Sequence, residues 1–179
     1  VQKREDDMIN AWFAKRDKHD LGLAAQWHRY EWPEEERAEA DVITIPGLWH
    51  DNNFGKMCGT VWLQRVIDVP ADLTGKEAEL RLGTLVDSDI TYINGKEVGR
   101  TEYRYPPRRY ALAADVLQPG RNVITIRLTM DANVGGAHPD MPYCIKCGEK
   151  ELSLAGKWYA RIGTVEEPLA ERTFFGWQP

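Results

Sequence analysis

The stretch Asp87-Ser88-Asp89-Ile90-Thr91-Tyr92-Ile93-Asn94-Gly95-Lys96-Glu97-Val98-Gly99 decides the fold class. Ile90, Tyr92 and Val98 fall on strands flanking Asn94-Gly95. That dipeptide suits a two-residue type I′ turn, because both central residues need positive φ. The pattern repeats outward from this hairpin. Leu80 and Leu82 alternate with Arg81 as a half-buried strand, and Val61, Leu63, Val66, Ile67 and Val69 mark a long strand that Pro70 stops. The irregular alternation around Gln64-Arg65 predicts a bulge or a change of face. Val42, Ile43 and Ile45 form a short strand ended by Pro46-Gly47. Downstream come Tyr110, Leu112 and Val116, a turn at Pro119-Gly120, and the β-branched run Val123, Ile124, Ile126, Leu128. Leu152 and Leu154 precede a turn at Ala155-Gly156, and Trp158 to Ile162 closes the β region. Many short strands with no long helix between them predict an all-β, antiparallel β-sandwich over 41–165.

Residues 1–40 read differently, as an N-terminal helical arm. Met8 and Trp12 sit four apart, as do Ile9 and Phe13, so both pairs share one face of a helix over 5–19. Asp6 and Asp7 suit the N-terminal end of its dipole, and Lys15, Arg16 and Lys18 the other end. Gly22 is the expected stop. Glu34, Glu35 and Glu36 are expected in a solvated turn after Pro33. The arm holds seven Lys/Arg against ten Asp/Glu, more than half of the chain's net charge of -5.

With 179 residues, the chain can bury roughly 70% of its unfolded surface, enough for a core without staples. Its acidity argues against a nucleic-acid partner, which needs a basic footprint. No apolar stretch approaches the roughly 20 residues that cross a bilayer, so no membrane partner is expected. The chain starts at Val1 without Met and ends Phe174-Phe175-Gly176-Trp177-Gln178-Pro179, so it is expected to be a piece of a longer polypeptide.

Candidate chemistry is sparse. Three cysteines, Cys58, Cys144 and Cys147, close no disulfide framework. In a strand, Cys144 and Cys147 point to opposite faces, a poor chelating pair, so free thiols are expected and no metal is assigned. Ser88 and Ser153 lack a nucleophile-elbow context, and the carboxylates of Asp87 and Asp89 would disfavour an alkoxide at Ser88. Asp87 and Asp89 are better suited to fixing loops than to glycoside hydrolysis. Arg108 and Tyr110, after Pro106-Pro107, are placed to pin a loop by pairing with either aspartate. Gly135-Gly136 ends a loop whose Asp131 and Asn133 are candidate partners for sugar hydroxyls. Trp49, Trp62, Tyr103, Tyr105, Tyr110, Trp158 and Tyr159 supply aromatic faces of the kind that stack on pyranose rings, with Trp62 and Trp158 assigned to the core. The candidate glycan-contacting or loop-fixing set is therefore Trp49, Asp87, Asp89, Arg108, Tyr110, Asp131 and Asn133. No catalytic residue and no cofactor is assigned.

Taken together, several segments resemble a galactose-binding-like jelly roll. They are Pro46-Gly47-Leu48-Trp49, Gly59-Thr60-Val61-Trp62-Leu63-Gln64-Arg65, Val69-Pro70-Ala71-Asp72-Leu73, the hairpin quoted above, Pro107-Arg108-Arg109-Tyr110, and Leu117-Gln118-Pro119-Gly120-Arg121-Asn122-Val123-Ile124. Similar elements occur in the N-terminal sandwich of family-two glycoside hydrolases. With Leu154-Ala155-Gly156-Lys157-Trp158-Tyr159-Ala160-Arg161-Ile162-Gly163 added, the fuller match is to the sialate O-acetylesterase family, whose jelly roll interrupts an SGNH hydrolase domain. That resemblance implies a non-catalytic domain, with 166–179 as a linker back to a missing SGNH hydrolase domain as partner. It also implies a secreted or periplasmic parent, and glycan as a possible ligand. The Gly-Gln-Ser-Asn-type and Asp-x-x-His motifs of that family do not occur here. The alternatives are a carbohydrate-binding module and an accessory sandwich of a family-two-like glycosidase.

Overall fold

A computed structural model of the chain describes residues 1–50 and 53–169. Among these residues, helices α1 (Gln2–His19), α2 (Leu21–Ala24) and α3 (Glu34–Ala38) precede thirteen strands. The first seven are β1 (Asp41–Ile45), β2 (Gly47–Leu48), β3 (Cys58–Val69), β4 (Ala78–Leu82), β5 (Leu85–Val86), β6 (Ser88–Ile93) and β7 (Lys96–Thr101). The others are β8 (Arg109–Leu112), β9 (Gly120–Met130), β10 (Gly136–Ala137), β11 (Tyr143–Cys147), β12 (Lys150–Ser153) and β13 (Gly156–Glu166).

Six strands form one sheet in the order β1-β13-β3-β9-β6-β7, and four form a second in the order β12-β11-β4-β8. The short strands β2-β10-β5 close one end. All pairings are antiparallel. The chain is an all-β antiparallel sandwich with an N-terminal helical arm. The hairpin of β6 and β7 turns at Asn94 (φ 51) and Gly95 (φ 82), the positive pair that a type I′ turn demands. The core lies between the two large sheets. Val61, Leu63, Ile124, Ile126 and Leu128 of the first meet Leu80, Leu82 and Ile145 of the second, all fully buried.

The outer face of the six-stranded sheet is also covered. Trp62 of β3 is fully buried there beneath Trp27 and Trp32 of the arm. Trp27 meets Trp32 and Trp62 edge-on, each at 6.0 Å between ring centroids. Burying one indole, ~200 Å² of surface, is worth on the order of 5 kcal/mol before chain entropy is counted. This second core explains the irregular alternation of β3. No bulge occurs at Gln64-Arg65, because β3 keeps one register with β9 from Gly59 to Val69. Apolar and polar residues mix because both faces are buried from Cys58 to Gln64. The register shifts lie elsewhere, at Ile162/Thr164 and Thr91/Tyr92.

Two details of the arm differ from the sequence reading. Glu34 to Glu36 open the short helix α3 rather than a turn, and Glu36 accepts a hydrogen bond from Tyr30 at 2.9 Å. Gly22 does not stop a helix. It sits inside α2, buried where any Cβ would run into the Trp62 ring. Of the apolar face of α1, Trp12 is the buried anchor and donates to the Glu167 carbonyl at 2.8 Å, whereas Met8 is exposed. Of the linker expected over 166–179, the part beyond Leu169 lies outside the described residues.

Candidate functional site

The loop end near β5 and β6 gathers most of the polar residues singled out in the sequence. Arg108 precedes β8 and runs inward across the core side of β6. Its Nε donates to Asp89 Oδ1 at 2.7 Å, and neither side chain reaches solvent. Its Nη2 donates to the Asp87 carbonyl, and its Nη1 to the carbonyls of Arg104 and Pro106. Asp89 Oδ2 accepts from Tyr110 at 2.7 Å and from Thr91 at 2.8 Å. Burial and the Asp89 charge push the Tyr110 phenol well above its usual range, so it stays a donor.

Asp87 is satisfied in the same internal way. Its Oδ1 accepts from Arg104 Nε and Nη2, and its Oδ2 from the Asp131 backbone N–H at 3.0 Å. Each carboxylate oxygen of this pair is thus committed to a donor inside the protein, which leaves neither free to act on a glycosidic bond. Trp49 and Asn133 make none of these bonds. Trp49 is buried, edge-on to Phe54 at 5.6 Å, and presents no open face. Asn133 is exposed and accepts from Cys58 Sγ at 3.3 Å. Burial, then the charges of Asp131 and Asp87, push the Cys58 thiol up to about 11, far from an activated nucleophile. Cys144 and Cys147 are likewise free and buried.

Two depressions lie near this hub. One, of about 440 Å³, runs between α1 and the β6–β7 hairpin. Its arginines are already matched: Arg127 pairs with Asp20 and Asp17, Arg16 with Asp17, and Arg100 with Glu97. The other, of about 340 Å³, lies at the loop end between Tyr105, Leu48, Val134 and Met141. Tyr105 is 77% exposed.

Sequence reasoning missed the polar node that fastens the arm. Asp20, only 1% exposed, accepts from Gly22 N, Thr60 Oγ1, Trp62 Nε1 and Arg127 Nε, all within 2.9 Å. Nearby, Gln64 holds the Trp32 backbone N–H and the Tyr30 carbonyl. The available signal was the outward-facing set Trp62, Gln64 and Arg127, residue types that need a cover rather than open water.

A scan against protein-family models and a search of curated proteins find no match. Among solved structures, the sandwich is similar to a β-glucuronidase from an uncultured Clostridium species, with TM-score 0.53, 18% identity and 78% of this chain covered. A Ruminococcus gnavus β-glucuronidase in complex with C6-substituted uronic isofagomine gives 0.51, 17% and 79%. A Lactobacillus rhamnosus β-glucuronidase gives the same three values. The likeness is one of fold, and it covers 22% to 26% of those chains, so this chain spans about a quarter of their length. It corrects the expected membership of the sialate O-acetylesterase family, because the structural neighbours are β-glucuronidases.

Proposed function

We propose that this chain is a non-catalytic sandwich domain of a family-two-like glycoside hydrolase, and that its partner is the catalytic domain of the same polypeptide. The observation that carries this reading is the fold likeness to β-glucuronidase chains, which takes in more than three quarters of this chain but only about a quarter of theirs. The internal saturation of Asp87 and Asp89 agrees with a supporting role. Fold alone does not assign chemistry, so the test is direct. The 179-residue chain and the product of the complete reading frame that encodes it are assayed on nitrophenyl β-glucuronide, β-glucoside and β-galactoside. Hydrolysis by the complete product, and none by the chain alone, is the expected result. Turnover by the isolated chain, or a complete product inert on all three glycosides, overturns the reading.

A further inference from the structure

We propose that the loop-end depression is a saccharide subsite in which the Tyr105 ring is the platform for one pyranose. The proposal deepens the carbohydrate reading above and takes its ligand class from it.

A tyrosine 77% exposed is ordinary on a mobile loop, but this loop is held fast. Arg108 Nη1 donates to the Arg104 and Pro106 carbonyls, at 2.9 Å each, from a side chain that is itself buried. Arg104 is tied to Asp87, and Pro106-Pro107 fix two further φ angles. The ring on Tyr105 is therefore presented by a backbone already ordered, so a ligand meets little entropic cost in using it.

Beside the ring, Leu48, Val86, Val134 and Met141 form an apolar floor. The cavity of about 340 Å³ falls at the small end of ligand sites, which span ~300–1,000 Å³. The polar residues of the lining are Thr84, Arg104 and His138. Arg104 Nε and Nη2 are taken by Asp87, while Nη1 has no partner among the described residues and can donate to a hydroxyl. His138 is exposed in the same lining. Asp87 already balances the Arg104 charge, so the site makes no demand for an anion. An apolar floor, an aromatic face and a few hydroxyl-seeking groups match a neutral pyranose, whose ring C–H groups stack on the positive-seeking π face while its hydroxyls reach the polar groups. The Arg104 guanidinium stands over the ring at 6.0 Å from its centroid, and Tyr105 nevertheless keeps most of its surface exposed.

The test titrates the 15N-labelled chain with cellobiose and with lactose to ~20 mM, the range that weak single-site sugar binding requires. Amide shifts confined to residues around Tyr105, Val134, His138 and Met141 are expected. Tyr105→Ala should weaken the binding at least ~10-fold, and Tyr105→Trp should keep it. Because Tyr105 is exposed, both variants should retain the parent's melting temperature. No shifts with either sugar, or shifts that survive Tyr105→Ala, overturn the subsite. If the complete product buries Tyr105 against its other domain and loses the shifts, the face is a domain contact and the proposal also falls. The glycoside assay above reads a different property. An inert complete product with intact Tyr105-dependent binding would sink the domain assignment alone.

Discussion

Asp89 and Arg108 meet at 2.7 Å with both side chains wholly out of solvent. Breaking such a pair from one side leaves an unpaired buried charge, which costs ~3–5 kcal/mol. Arg108→Met should therefore lower the urea midpoint strongly. The double variant with Asp89→Leu should recover only part of the loss, because the carbonyls of Asp87, Arg104 and Pro106 still lack their donor. Full recovery in the double variant would show that the carbonyl contacts contribute nothing.

Asp20 collects four donors from α2, β3 and β9. Asp20→Ala leaves Arg127 without its buried partner and Trp62 Nε1 without an acceptor. The arm should loosen, seen as a red shift of tryptophan emission and new cleavage sites within residues 1–40 under limited proteolysis. Asp17, half exposed, is the control. Its removal should change stability by no more than ~1 kcal/mol. An arm equally protected in Asp20→Ala would refute the fastening role.

Gly22 marks how tightly the arm meets the sheet. A Cβ there would clash with the Trp62 and Trp27 rings. Gly22→Ala should destabilise by ~1–3 kcal/mol through overpacking. Gly75 has φ +71 with nothing near its Cβ, so Gly75→Ala should cost only the local backbone term of ~1 kcal/mol. Thermal unfolding of the two variants checks both, and a Gly22→Ala chain as stable as the parent would contradict this account.

The His28 ring lies tilted against Tyr92 at 4.4 Å between centroids, and its Nδ1 is buried without a partner. Burial, then the Arg29 charge, hold the His28 imidazole below its ordinary pKa. The unfolded chain thus takes up this proton at higher pH than the folded one. The His28 contribution is complete above the unfolded value of ~6.5 and is lost as pH falls below it. The stability difference between the parent and His28→Gln should shrink from pH 7.5 to pH 5, values set by that ~6.5 midpoint. A difference that stays flat across that range removes His28 as a source of acid sensitivity.

The strands were legible because period-two alternation and turn residues are local signals. Asn94-Gly95 named its own turn, and Leu80 and Leu82 their own face. The outer core was not legible, because it depends on two segments distant in sequence meeting face to face. Trp62 looked like a core residue and is one, but of a layer that no periodicity along β3 distinguishes from the first. Nothing local in the sequence distinguishes Asp20 from any other polar residue at a helix end. Its four donors come from residues 22, 60, 62 and 127, and only the β3–β9 register brings the last three together. In the candidate site, the pairing of Arg108 with Asp89 follows residue types that sequence can point to. The exposure of Tyr105 follows from a loop path that it cannot.

Trp62, Gln64 and Arg127 bear on any attempt to move this sandwich onto another polypeptide. Cut before Asp41, the transplanted piece would carry a bare indole, an amide shorn of Trp32 and Tyr30, and a guanidinium stripped of its carboxylate. The portable unit begins no later than Asp20. The twenty or so residues after it act as a lid that must travel with its vessel.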